Sequence, residues 1–151
     1  MDFHDVLLVL HIVGVGTWLG ANVIQAVIPP VAARSGSETL GWWYRTSSML
    51  SSRLYMPAAI LILVTGVLLV LQREAYGFGT PFVTIGFAMI VVGAVLGMVV
   101  FGPGGREAAT AAETGDRPGL QRAAGRLTRF GIVDTILLLF TITAMVLRLG
   151  V

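Results

Sequence analysis

The side chains best suited to chemistry in this sequence lie along one face of its first apolar segment. At about 100° per residue of an α-helix, five of them fall within about 40° of one direction. Polar residues within a membrane span face a bundle interior or a water-filled cavity rather than lipid. We therefore expect this stripe to line the inside of a helix bundle. Its members are His4, His11, Trp18, Asn22 and Gln25.

His11 is the member of this stripe with the widest range of chemistry. A neutral imidazole can ligate a metal or haem iron, carry a proton, or satisfy a hydrogen bond in the core. The spacing leaves these roles open. Because Trp18 lies on the same face, one hypothesis is a planar cofactor held near His11 and Trp18.

Asp134 is the one charged residue inside the last apolar segment. A carboxylate at that depth needs hydrogen-bond donors or a cation. Asn22 and Gln25 lie at a matching depth on the first segment, and Arg53 lies at a similar level. We expect a buried polar cluster of Asp134 with Asn22, Gln25 or Arg53. Such a cluster can join helices by hydrogen bonds or form part of a polar route across a membrane.

The elements that would position these residues are four apolar segments. Of the 151 residues, 56% are hydrophobic and 12% are charged, whereas a soluble domain carries roughly 25% charge. A helix needs about 20 apolar residues to cross the hydrocarbon core of a membrane. Four stretches meet this requirement, at about 6–28, 54–72, 82–101 and 130–147.

These segments predict an all-α fold in which residues 1–151 form one integral membrane domain, a polytopic bundle of four transmembrane helices. Pro29-Pro30 is expected to end the first helix, because proline disfavours helix at the preceding residue. Residues 29–53 and 102–129 are then the two long loops. Within the second loop, residues 106–114 can form a short helix, and another can start near Pro118 and run into the fourth span.

Arginine placement predicts the orientation, because basic loops stay on the cytoplasmic side. Arg73 and Arg148 fall on one side of the bundle, and the other eight arginines fall in the two long loops. We therefore expect both termini on the extracytoplasmic side of the inner (cytoplasmic) membrane. Arg122, Arg126 and Arg129 can also bind anionic lipid. The eight are Arg34, Arg45, Arg53, Arg106, Arg117, Arg122, Arg126 and Arg129.

Composition excludes several kinds of chemistry. The chain has no cysteine, which excludes disulfides, iron–sulfur clusters and a thiol nucleophile, and it has no lysine for a Schiff base. The formal net charge is only +2, so we expect no nucleic-acid binding. The sequence shows no nucleophile–base pair, and it leaves open whether the protein is an enzyme.

Three glycines in the third segment predict a close helix-packing face. Gly93 and Gly97 form a G-x-x-x-G pattern, and Gly86 lies one heptad before Gly93. Small residues let helices approach closely. The contact can lie within one chain or between two copies.

Residues 10–20, LHIVGVGTWLG, resemble the first helix of a superfamily of small bacterial four-helix membrane proteins. The superfamily includes copper-resistance D-like proteins and the membrane-type protoporphyrinogen oxidase. The shared pattern is a histidine, a tryptophan seven residues later, and small residues. Residues 53–70, with Arg-x-x-x-Pro and later Thr-Gly, and residues 144–150, AMVLRLG, are similar to the second and last helices. In length the chain resembles an uncharacterised branch.

The resemblance implies haem b with His11 as an axial ligand. The oxidase branch has further histidine and lysine positions in its middle helices, whereas this chain has neither residue after His11. A second axial ligand would then be water, a methionine, a group from a partner chain, or none. The resemblance therefore does not imply porphyrinogen oxidation.

Three functions are consistent with the sequence. The first is a haem b- or quinone-binding redox membrane protein. The second is a non-enzymatic accessory or scaffold subunit that binds another membrane protein or a second copy of the chain. The third is a small transporter or ion pathway, whose polar route would consist of His11, Asn22, Gln25 and Asp134.

Overall fold

The computed structural model describes residues 2–72 and 75–150, and this part of the chain is all-α. Four continuous helical stretches are long and apolar enough to cross a membrane, which confirms the prediction of four such helices. Arg73, which entered the orientation argument, lies outside the described residues. The helices are α1 (Phe3–Arg34), α2 (Ser37–Leu50), α3 (Met56–Leu71), α4 (Pro81–Leu96), α5 (Gly102–Thr114) and α6 (Arg117–Val146).

Two five-residue π-helical turns join pairs of these helices end to end. Ser51–Tyr55 connects α2 to α3, and Gly97–Phe101 connects α4 to α5. In each turn a backbone N–H bonds to the carbonyl five residues earlier, as the bond from Gly102 to Gly97 shows. Such a turn inserts one extra residue into a helix and changes the face that the next residues present.

Local side chains fix the helix ends. Asp2 and Asp5 form a capping box at the start of α1, each accepting a hydrogen bond from the other's backbone N–H. Between α5 and α6, Gly115 adopts φ 72°, a left-handed conformation that glycine tolerates and that ends α5. Asp116 then caps α6 by accepting from the N–H of Gly119 at 3.0 Å, so the helix predicted from Pro118 onward is confirmed.

The structure corrects the predicted helix bounds. Helix α1 continues through Pro29-Pro30 to Arg34, and most of residues 29–53, expected as a loop, is helical. The short helix expected at 106–114 is present as part of α5. The proline penalty is offset by packing, because Ala32, beyond the prolines, is buried in a second core. Trp43 and Tyr44 on α2 are buried in the same core. Burial of these side chains explains why residues too polar for lipid still form helix.

The molecule therefore has two cores stacked along the helix axes. In the apolar half, α1 packs against α3, and α4 packs against α6, around Trp18, Ile62, Met89 and Leu138. In the arginine-rich half, α2 and the end of α1 pack against α5 and the start of α6. The predicted polar cluster lies where these two halves meet.

Candidate functional site

Asp134 on α6 is the centre of the buried polar cluster. Its side chain is 2% exposed. One carboxyl oxygen, Oδ2, accepts a hydrogen bond from the Trp18 indole N–H at 3.1 Å and from the Asn22 amide at 2.8 Å. The other oxygen, Oδ1, is buried and has no hydrogen-bond partner among residues 2–72 and 75–150. The carboxyl group therefore keeps one oxygen available inside the protein.

Asn22 connects this carboxyl to a second helix. Its amide N–H₂ also reaches the Thr135 hydroxyl at 3.2 Å, and its carbonyl accepts from the Tyr55 hydroxyl at 3.0 Å. Tyr55 in turn makes an edge-to-face contact with the Trp18 ring, with 6.4 Å between ring centroids. The side chains of α1, α6 and the π-helical turn before α3 thus hold Asp134 in a fixed hydrogen-bonded frame.

The structure brings only part of the predicted cluster together. Asn22 contacts Asp134 as expected. Gln25 instead pairs with Ser47 on α2, in a reciprocal hydrogen bond of 2.5 and 2.8 Å. Arg53 is exposed, and within the described part of the chain the structure pairs it with none of these residues. Its place in the π-helical turn explains this, because the turn directs Tyr55 inward and Arg53 outward.

His11 lies further along α1, against α3. Its ring nitrogen Nδ1 lies 3.0 Å from the Thr65 hydroxyl oxygen. That hydroxyl donates its only hydrogen to the Leu61 carbonyl at 2.6 Å, so it accepts from His11 Nδ1–H. Gly66 permits this approach, since a Cβ there would lie 3.3 Å from the imidazole Cε1. The remaining nitrogen, Nε2, is left with its lone pair, as in a histidine that ligates a metal.

A small cavity connects the level of His11 to the level of Trp18. It measures about 30 Å³. A space of that size holds one or two water molecules, whereas cofactor sites enclose roughly 300–1,000 Å³. The cavity beside His11 and Trp18 is smaller than a haem or a quinone ring, and the cofactor expected there stays a prediction. The lining includes His11, Trp18, Met89, Thr141 and Met145.

The described residues around His11 do not form a complete metal site. Three or more His, Asp or Glu side chains normally share a bound cation. Among the residues that the structure describes, no group of three or more such side chains is close enough to hold one. Among the described residues, the Nε2 of His11 therefore has no His, Asp or Glu group beside it that would complete a metal site.

The predicted glycine face on α4 and the π-helical turn after it packs within the chain. A Cβ at Gly93 would overlap the Trp18 indole, and a Cβ at Gly86 would overlap the Met145 side chain. Gly97 has open space where its Cβ would be. Gly86 thus lines the cavity, and Gly93 lies against the indole that donates to Asp134.

Sequence reasoning did not find Tyr55, Thr135 and Ser47 as members of the polar network. Tyr55 follows Arg53 by two residues, and Thr135 is adjacent to Asp134, so both lie at the predicted depth. Their hydroxyl groups at that depth were a usable signal. Ser47 offered no signal, because its segment was expected to be a loop.

The chain matches no protein-family model, no curated protein and no solved structure at a significant level. The resemblance to the copper-resistance D-like superfamily therefore stays a prediction.

Proposed function

We propose that the protein is a multi-pass membrane protein that binds a proton or a small cation at Asp134 and lets it pass through the helix bundle. The observation that carries this proposal is the carboxyl group itself, which is 2% exposed and has an unpartnered Oδ1. Ionisable side chains inside a membrane bundle are rare and usually mark ion or proton pathways.

The electrostatic setting favours a bound cationic species. Removing a carboxylate from water costs several kcal/mol unless a positive charge or enough donors compensate. Asp134 receives two donors, both on Oδ2, and no arginine of the described chain pairs with it. A proton or a small cation at Oδ1 supplies the missing partner.

Polar groups continue from Asp134 in both directions. Towards the arginine-rich end they include Asn22 with Tyr55, and then the Gln25–Ser47 pair. Towards the other end, Trp18 leads to the cavity of about 30 Å³ and to His11 with Thr65. One or two waters in that cavity would link the carboxyl level to the imidazole level. The third sequence hypothesis, a polar route, thus has more geometric support than a cofactor pocket.

Flux through proteoliposomes tests this proposal. Wild-type protein should dissipate an imposed proton or sodium gradient faster than protein-free vesicles. Asp134→Asn keeps the size of the side chain and an oxygen that accepts from Trp18 and Asn22, but it removes the acid. We expect flux in this variant to fall to the rate of protein-free vesicles.

Asp116→Asn is the matched control. It makes the same chemical change at the exposed cap of α6, where asparagine caps a helix as well as aspartate does. Flux should be unchanged in this variant. Equal flux in wild-type and Asp134→Asn vesicles would show that Asp134 only joins helices, which is the structural alternative.

A redox role is the second candidate, and one observation favours it. The hydrogen bond from His11 Nδ1 to Thr65 fixes the tautomer that leaves Nε2 free to ligate iron. The described cavity is smaller than a porphyrin, so this role requires a wider site beside His11 or a site elsewhere on the bundle. A Soret band in purified protein that is lost in His11→Ala would support it.

A further inference from the structure

A second polar site lies on the arginine-rich side of Asp134, in a groove between α5 and the first turns of α6. The groove has a volume of about 610 Å³ and is open to the surface. Three arginines line it, together with two acidic side chains. They are Arg106, Arg122, Arg126, Glu107 and Asp116.

Both acidic side chains of the groove already have partners. Glu107 forms an ion pair with Arg126 at 2.6 Å. Asp116 accepts the backbone N–H of Gly119 as the cap of α6. In the described part of the chain, neither Arg106 nor Arg122 forms an ion pair or a hydrogen bond. The groove therefore presents two guanidinium groups that form no ion pair with a described carboxylate.

Arg126 adds an unsatisfied donor to the same groove. Its outer nitrogen is engaged by Glu107, but its Nε–H is buried and has no hydrogen-bond partner among the described residues. A buried donor without an acceptor costs about 1–3 kcal/mol. An oxygen-rich anion seated between the helices would satisfy this donor and the two exposed guanidinium groups together.

The groove begins at the boundary between the apolar and arginine-rich parts of the helices and extends to the turn between α5 and α6. The helical stretch Pro81–Thr114 has no charged residue before Arg106. In α6 the apolar run begins directly after Arg129. The Glu107–Arg126 ion pair brings these two boundaries to one level. Lipid headgroups occupy that level of a membrane, and arginines there attract anionic lipids.

We infer that this groove binds the phosphate of an anionic phospholipid through Arg106, Arg122 and Arg126. The phosphate oxygens accept from the guanidinium groups, for which arginine geometry is well suited. The site differs from the sequence expectation, because Arg106 replaces Arg129 as the third arginine. It is independent of ion passage at Asp134, so either proposal can fail alone.

Lipid retention measured by native mass spectrometry tests this inference. The full chain is purified in detergent and presented with phosphatidylglycerol or phosphatidylcholine. Wild-type protein should retain phosphatidylglycerol selectively. Arg106→Gln and Arg122→Gln should each lower that retention about five-fold, and the double variant should lose the selectivity.

Arg34→Gln is the control, because Arg34 is exposed at the end of α1 and does not line the groove. This variant should retain phosphatidylglycerol like wild type. Equal loss in Arg34→Gln would mean that attraction is diffuse and would overturn the inference.

A competition experiment adds inorganic phosphate. Displacement of lipid at millimolar phosphate would assign the site to a soluble phosphate instead and overturn the lipid assignment. Unchanged circular dichroism of each variant verifies that it folds.

Discussion

Asp134 and its neighbours show which hydrogen-bond partners of a single residue can be predicted from sequence and which cannot. Its depth in the last segment matched that of Asn22, and the two side chains do form a hydrogen bond. Gln25 has the same polarity and a similar depth, yet it bonds to Ser47 on a helix that the sequence did not indicate. Depth can be counted from residue numbers, whereas the choice of partner depends on how helices rotate against one another.

The contact between Gly93 and Trp18 gives a prediction at the same scale. Gly93→Ala places a methyl group against the indole that donates to Asp134. We expect a loss of roughly 1–3 kcal/mol in the free energy of unfolding, because overpacking a tight core costs that much. Unfolding in mixed detergent micelles measures it.

Gly97→Ala is the matched control, since a Cβ at Gly97 meets open space. Alanine is the better helix former, so this change should be neutral or stabilise by up to about 1 kcal/mol. Equal destabilisation by both substitutions would contradict the packing role assigned to Gly93.

At the scale of elements, the two π-helical turns explain what the hydropathy pattern could not show. The pattern located four apolar spans, and all four spans lie within helices. A π-helical turn has no compositional signature, because it arises when packing on both sides favours one extra residue. Gly97–Phe101 lets α4 face the apolar core while α5 turns its small residues, such as Ala109, towards α2.

Inserting one alanine after Val99 tests this role of the second turn. The turn already holds one extra residue, so a second one would rotate α5 by about 100° relative to α4. Ala109 and its neighbours would then leave the core they share with α2. We expect destabilisation on the order of 3 kcal/mol or more, measured by unfolding in micelles.

Val99→Ala serves as the comparison, because Val99 is 66% exposed. This substitution should change stability by less than about 0.5 kcal/mol. If the insertion proved as mild as the substitution, the register set by the π-helical turn would not matter for the second core.

At the scale of the whole molecule, the arginine-rich half is a packed helical layer rather than a pair of loops. Hydropathy could not predict it, because its helices are stabilised by burial of Trp43, Tyr44 and alanines and not by lipid. The layer keeps most of the arginines at one end of the bundle. The orientation predicted from those arginines is therefore a prediction of the side of the membrane on which the whole layer lies.

Single cysteines test that orientation directly, since the chain has no native cysteine. We expect Asp2→Cys to react with an impermeant maleimide added outside intact cells. Ser37→Cys, at the start of α2 in the arginine-rich end, should react only after the membrane is permeabilised. The reverse labelling pattern would invert the orientation.

The central claim is that Asp134 binds a proton or a small cation inside the bundle, and infrared difference spectroscopy tests it most directly. Reconstituted protein is measured while pH or sodium concentration is changed. The account predicts a carboxyl band that changes with proton or cation binding in wild type and is absent from Asp134→Asn. Identical difference spectra for the two proteins would contradict it.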